Sequence, residues 1–203
     1  EKVFLESIGV DNGKVKTIYG GVDRSRFYPD DKVEIYPSSQ INLSNFVIVV
    51  GDCKPRKEPE LIYQVIQSLP KIKFLIHGRG WFSFLSQRKK LDNLCYREFD
   101  MEVHPLLMRK ALVYLSLSLL EGGPFPTLEA LASGTPVVAT DTGWNKEVIP
   151  KGAGFVVTTK PEIELVREKI LNAIDLKQNT NGRDLIEGKF TWREMAGHYF
   201  TVD

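Results

Sequence analysis

Residues 121–140, EGGPFPTLEALASGTPVVAT, carry most of the structural information in the chain. An acid, two glycines and two prolines open the stretch. An apolar pattern at helical spacing follows over 126–132. Gly134-Thr135-Pro136 then marks a tight turn, and 136–139 reads as a buried strand. Loop, helix, turn and strand in this order make one unit of an alternating α/β chain.

The same alternation extends outward in both directions. Upstream, 46–50 is a continuous apolar run, as expected of a parallel strand buried on both faces, and it stops at Gly51. Helical spacing over 58–69 leads to a strand over 72–76, a helix over 81–91, a weak strand over 94–96, a short helix over 102–110 and a buried strand over 111–117. Downstream, one or two helical turns are expected over 144–149, a strand over 154–157, a long amphipathic helix over 162–176, and one or two further helices from 181 on. Residues 16–19 are a short strand candidate ending at Gly20-Gly21, and 24–45, rich in Asp, Pro, Ser and Asn, read as a long loop. Right-handed crossovers between such strands give a doubly wound, Rossmann-like parallel sheet covered on both faces. A single domain over 1–203 is expected. The chain opens in a helical pattern with Glu1 rather than Met, so the start of the natural protein is expected upstream.

Composition narrows the class of function. The 203 residues are 42% hydrophobic and 26% charged, with 27 Lys and Arg against 26 Asp and Glu. A net charge of +1 argues against a general nucleic-acid binder. The basic run Arg88-Lys89-Lys90 reads as the solvated face of a helix. Cys53 and Cys95 have neither metal nor redox spacing; two reduced thiols are expected, with one bridge between them as the alternative. His77, His104 and His198 are equally scattered, and no metal site is expected. No signal peptide is visible, and no apolar run reaches the roughly 18 residues of a membrane-spanning helix.

In an open parallel sheet, ligands bind at the carboxyl ends of the strands. Four glycine-marked loops fall there: Gly20-Gly21, Gly51, Gly78-Arg79-Gly80 and Gly122-Gly123. Behind the last stands a helix N-terminus, which favours an anion. Glu121 and Glu129, eight positions apart, flank that loop and offer carboxylates to hydroxyl groups. Phosphate and hydroxyls in one pocket suggest a nucleotide sugar. Without a metal, charge growing on a departing diphosphate must be met by cations and backbone N–H groups. Lys54, Arg56 and Lys57 follow Gly51, and Arg79 is a second source. Taken singly, these are a solvated basic loop, a surface acid and a dipole-complementing acid. Their arrangement around one loop favours the ligand site.

Residues 121–140 resemble the Glu-x7-Glu signature of retaining glycosyltransferases of the GT-B fold, in the large glycosyltransferase family 4 (glycosyl transferases group 1). The resemblance continues through VKTIYGGVDRSRF at 15–27, the glycine–lysine segment at 50–57, the strand and glycine loop at 75–80, DTGWNKEVIPKGAGFVV at 141–157 with its Glu147, and Phe190-Thr191-Trp192. It implies the C-terminal, donor-binding half of a GT-B enzyme. The N-terminal acceptor domain would lie outside this chain, and the isolated domain would be inactive. The implied reaction transfers a hexosyl-type sugar, with retention, from a UDP- or GDP-sugar and needs no other cofactor. Glu121 would contact the donor sugar, Glu129 the ribose, and amides around Gly122 and Gly123 the sugar or phosphate. Lys57 and Arg56 would meet the diphosphate, and Phe125, Gly21, Gly51, Gly78, Arg79 and Gly80 would complete the donor pocket. The acceptor would be a glycan, a lipid-linked molecule or another hydroxyl compound. The implied location is cytoplasmic, with peripheral association at the inner membrane surface as a variant.

Two departures stand out. Relatives often carry Arg directly after the glycine at position 51, where this chain has Asp52, which would repel a diphosphate. Their loop often reads Glu-Gly-Phe-Gly, where this chain has Glu121-Gly122-Gly123-Pro124, and Pro124 has no N–H to donate. These departures motivate an alternative, a nucleotide-sugar-binding module with weakened catalysis. A sugar-nucleotide epimerase of the same architecture is a further alternative, although no acid–base constellation for it is visible.

Overall fold

Phe46, Val47, Ile48, Val49 and Val50 are all buried. A strand with no polar face needs cover on both sides, and these residues form the centre of the sheet. The computed structural model describes residues 2–29, 45–177, 182–185 and 188–200. In it β1 (Phe46–Val50) lies between β2 (Lys73–His77) and β4 (Val113–Ser116). With β3 (Leu94–Arg97), β5 (Val137–Thr140) and β6 (Gly154–Val157) they make a six-stranded sheet of order β3-β2-β1-β4-β5-β6. Every pairing in it is parallel. This is the doubly wound, Rossmann-like fold expected from the alternating pattern.

The helices among the described residues are α1 (Lys2–Ser7), α2 (Pro59–Ser68), α3 (Trp81–Ser86), α4 (His104–Lys110), α5 (Phe125–Ala132), α6 (Asn145–Val148), α7 (Ile163–Leu176), α8 (Gly182–Leu185) and α9 (Trp192–Phe200). Alternate residues of each strand point to opposite faces, so the core divides in two. Phe46, Ile48, Val50, Leu75, Tyr114, Val137 and Ala139 pack with Leu107 and Met108 of α4, Leu128 and Leu131 of α5 and Val148 of α6. Val47, Val49, Phe74, Ile76, Leu115 and Val138 pack with Ile62, Val65 and Ile66 of α2, Trp81 of α3, and Val166, Ile170 and Ala173 of α7. Full burial of each large apolar side chain contributes roughly 1.5–3 kcal/mol relative to exposure.

Three expectations are corrected. The helix from Trp81 ends at Ser86, not at 91. Arg88 folds back, donating from Nη1 to the carbonyl of Phe84 at 2.8 Å and standing 3.4 Å over the Phe84 ring. That satisfies a free C-terminal carbonyl and closes the helix. The short helix over 102–110 starts two residues later, at His104, with Pro105 in its first turn, where a missing N–H does no harm. Residues 16–19 form no strand. Both neighbours of β1 are already taken by β2 and β4, and the chain is tied down further along. Val22 bridges Thr191 in parallel, and its N–H donates to the carbonyl of Phe190 at 2.8 Å. Of the loop expected over 24–45, residues 30–44 lie outside the described residues, as does Asn181.

Candidate functional site

The strand order reverses between β1 and β4. At such a point the loops leave in opposite directions and open a crevice at the strands' carboxyl ends. The loop after β1 carries a short 3-10 turn, Pro55–Lys57. The loop after β4 runs through Ser118 to Glu121. The two are sewn together by one backbone and one side-chain bond: the Leu119 N–H donates to the Arg56 carbonyl at 2.8 Å, and Arg56 Nη1 donates to the Leu120 carbonyl at 3.1 Å.

Across this seam Glu121 meets both cations. Lys57 Nζ donates to its Oε1, and Arg56 Nη1 stands 2.9 Å from its Oε2. The Glu121 side chain is only 9% exposed and that of Lys57 16%, against 44% for Arg56. Burial works to raise the Glu121 pKa. Hydrogen bonds from Lys57 and Ser118 and the charges of Lys57 and Arg56 outweigh it and hold the carboxyl below its ordinary value. Beneath the site lies Tyr114, 1% exposed. Its phenol is pushed above its ordinary range by burial first, with Glu121 and Glu129 adding their charge.

The segment between β4 and β5 is held from below by buried polar groups. Thr127 Oγ1 donates to Asn145 Oδ1 at 2.8 Å, Asn145 Nδ2 to the Thr140 carbonyl at 3.0 Å, and Thr140 Oγ1 to the Ser118 carbonyl at 2.6 Å. This chain of bonds fixes α5 and the Glu121 loop to the end of β5.

Gly51 adopts φ 129°, a conformation that favours glycine. A Cβ at Gly78 would stand 1.9 Å from the Gly51 carbonyl oxygen, so these two loops touch backbone to backbone. The Gly51 carbonyl also accepts from the indole of buried Trp81 at 2.8 Å. Gly80 precedes α3 as its cap. Arg79 is engaged by Asp52: Nε lies 3.2 Å from Oδ1 and Nη2 3.3 Å from Oδ2. Burial raises the Asp52 pKa, but the hydrogen bonds and charge of Arg79, with Lys54, hold it below its ordinary value. Asp52 is therefore no free repelling charge, and Arg79 is no free cation.

The glycines divide by cause. At Gly21 a Cβ would lie 2.4 Å from the backbone N of Trp192, and at Gly123 it would lie 2.3 Å from the Trp144 ring. Packing explains both. A Cβ at Gly122 meets nothing within 4 Å, so packing does not explain that glycine. The helix N-terminus behind the loop is a weaker anion site than expected. Pro124 and Pro126 have no N–H, and the Thr127 N–H is spent on the Pro124 carbonyl at 3.0 Å.

Glu129, Phe125 and Gly21 do not join the Arg56–Lys57–Glu121 cluster directly. They line an adjoining cleft of about 420 Å³ with Asp23, Arg26 and Trp192. Phe125 is stacked on Trp192 at 5.7 Å and set edge-on to Trp144 at 5.7 Å. Nearby, Tyr19 donates to Glu147 Oε2. Glu129 Oε2 pairs with His104 Nε2 at 2.9 Å. His104 was not legible as a site residue, since nothing in its spacing links it to an acid 25 positions away. Both cysteines are free. Among the described residues no His, Cys, Asp or Glu cluster is arranged for a metal ion, and no helix is long and apolar enough to cross a membrane.

Comparisons with known proteins agree with this fold. Residues 32–187 match the family model described as glycosyl transferases group 1. The chain is 26% identical over 204 residues to the O-antigen biosynthesis glycosyltransferase WbnH of Escherichia coli, covering 100% of this chain and 56% of that protein. Its fold superposes on sucrose-phosphate synthase from Thermosynechococcus elongatus with a TM-score of 0.81 at 22% identity, covering 98% of this chain and 54% of that one. It superposes on Anabaena HepE, solved in complex with UDP-glucose, with a TM-score of 0.77 at 20% identity, covering 99% and 61%. The chain thus spans a little over half the length of the curated relatives it matches first.

Proposed function

The chain belongs to the glycosyl transferases group 1 family, and from that premise we propose that it is the donor-binding, C-terminal domain of a retaining GT-B glycosyltransferase. The donor is a UDP- or GDP-sugar carrying a hexosyl-type group. The acceptor is a glycan, a lipid-linked molecule or another hydroxyl compound, presented by an N-terminal domain outside this chain. Catalysis needs no metal. The enzyme works in the cytoplasm, at the inner membrane surface where the acceptor is a lipid. HepE supports the donor class, since that structural neighbour was solved with UDP-glucose.

One observation carries this reading: Arg56, Lys57 and Glu121 meet at the β1/β4 switch point, the place where this fold takes a ligand. As the sugar–phosphate bond breaks, charge grows on the departing diphosphate. Lys57 and Arg56, already gathered at the switch point, are the cations that meet it. Glu121, which balances them in the free protein, turns to the hydroxyls of the donor sugar. Gly122 leaves room for the sugar to approach the loop backbone, while Glu129 and the cleft beside Phe125 take the ribose. Gly21, Gly51, Gly78 and Gly80 shape the loops around the nucleotide.

Calorimetric titration with nucleoside diphosphates and their sugars tests this. UDP or GDP should bind. Glu129→Ala should weaken the nucleotide, and Glu121→Ala should mainly remove the gain from the sugar. No affinity for any nucleoside diphosphate, on folded protein, would sink the proposal. The Asp52–Arg79 pair supports a second reading, a donor-binding module with weakened catalysis, because it withholds one cation from the phosphates. Transfer from a labelled donor by the full-length protein excludes that second reading.

A further inference from the structure

Glu129 stands on α5, and the ring that holds it stands on α4. His104 is 5% exposed and enclosed by aromatic rings. Its centroid lies 5.7 Å from Phe27, 5.2 Å from Phe99 and 5.4 Å from His77, the last nearly parallel at 19°. A ring packed on three sides cannot swing away from its partner. That partner is Glu129 Oε2, 2.9 Å from His104 Nε2. A carboxylate only accepts, so Nε2 carries the proton and donates.

His77 supports this arrangement. It is fully buried, and its Nε2 accepts the Asp100 N–H across a long 3.5 Å. Burial first, and the neighbouring His104 second, push its pKa down to about 4, so it stays neutral. His104 and Glu129 together line a cleft of about 190 Å³ with Arg26, Phe27, Phe99 and Met101. That cleft shares Glu129, Phe125, Arg26 and Phe27 with the larger one beside it.

We infer that His104 is a positioning residue for Glu129: it pins Oε2 from behind and leaves Oε1 to accept from the ribose diol of the donor nucleotide. This rests on the donor-site reading of Glu129. A free glutamate must be immobilised when a ligand arrives, and that ordering opposes binding. Here the caged imidazole has already done it. A pre-aimed acceptor also sharpens selectivity, because a site built for a hydroxyl is left unpaired by an analogue without one.

The test compares ribo and 2′-deoxy forms of UDP and GDP by calorimetry. Wild type should prefer the ribo form by about tenfold. His104→Phe fills the space without a donor and should bring that ratio close to one. His104→Gln places an amide N–H near the position of Nε2 and should restore most of the preference. Circular dichroism and thermal melts establish folding, and His104→Leu, which also lacks a donor, takes the place of His104→Phe if that variant fails to fold. A wild-type ratio in His104→Phe, or loss of preference in His104→Gln equal to that in Glu129→Ala, overturns the inference. Absence of nucleotide binding by the wild type removes the donor-site reading itself, and this inference with it.

Discussion

Asp52 holds Arg79 through both of its oxygens, at 3.2 and 3.3 Å, and so couples the loop after β1 to the loop after β2. It also accepts the Arg79 backbone N–H at 3.3 Å. The pair is largely open to water, so its own contribution to stability is small. Its effect on ligand charge is larger. Asp52→Asn removes a negative charge from the phosphate rim and releases Arg79. Affinity for UDP or GDP should rise about two- to fivefold, more at low salt. An unchanged or weaker affinity by calorimetry would show that Arg79 does not face the diphosphate.

Lys57 pairs with Glu121 where both are mostly buried. Lys57→Ala removes a charge-assisted donor and leaves Glu121 to Arg56 alone. Nucleoside diphosphate affinity should fall by roughly ten- to a hundredfold, about 1.4–2.7 kcal/mol. Affinity within twofold of wild type would remove Lys57 from the phosphate site.

Asn145 is fully buried and bonded to both Thr127 and Thr140. Asn145→Ala strands the buried Thr127 hydroxyl and takes one of two donors from the Thr140 carbonyl, which keeps the Thr142 N–H at 2.8 Å, a loss of about 2–4 kcal/mol. For a domain of this size that lowers Tm by roughly 4–16 °C. Urea unfolding monitored by circular dichroism measures it. A loss below about 0.5 kcal/mol would mean that water replaces the amide.

Stability should fall with acid in two stages. His77 titrates at about 4 in the folded protein against 6.5 for a free imidazole. Between those values the unfolded chain binds a proton that the folded one refuses, so stability declines as pH drops from 6.5 to 4. The full loss is roughly 3 kcal/mol. His104, Arg97 and Asp100 are the charged or titratable groups acting on it. The Glu121 carboxyl is held below its usual 4.5, so its stabilisation is present above that pH and disappears as pH falls through the folded value. His77→Phe should flatten the first stage in urea titrations at pH 7.5, 6 and 5 and leave the second. Equal slopes for variant and wild type would assign the acid loss to other groups.

Much of the fold was legible because its signals are local. A run such as Phe46–Val50 has no polar residue to face water, so burial on both sides follows from composition alone. The end of α3 was not legible, because it depends on where Arg88 folds back. Residues 16–19 hold β-branched and aromatic side chains in Thr17, Ile18 and Tyr19, but they pair with no strand of the sheet. At the site, the clustering of Arg56, Lys57 and Glu121 followed from strand ends sharing one rim. The engagement of Arg79 by Asp52 did not, since each residue alone reads as an independent charge.

The sequence by itself determined the alternation of strands and helices, the glycine loops at the strand ends and the family. These depend on periodicity and spacing over a few residues. Only the tertiary structure decided which charges meet. Arg56 and Lys57 meet Glu121, 65 and 64 positions away, and Glu129 meets His104, because the sheet sets β4 beside β1 and packs α4 against α5. Electrostatic pairing falls off with distance in space, not along the chain. The partners of a charged residue are therefore fixed by strand order and helix packing, which no local pattern encodes.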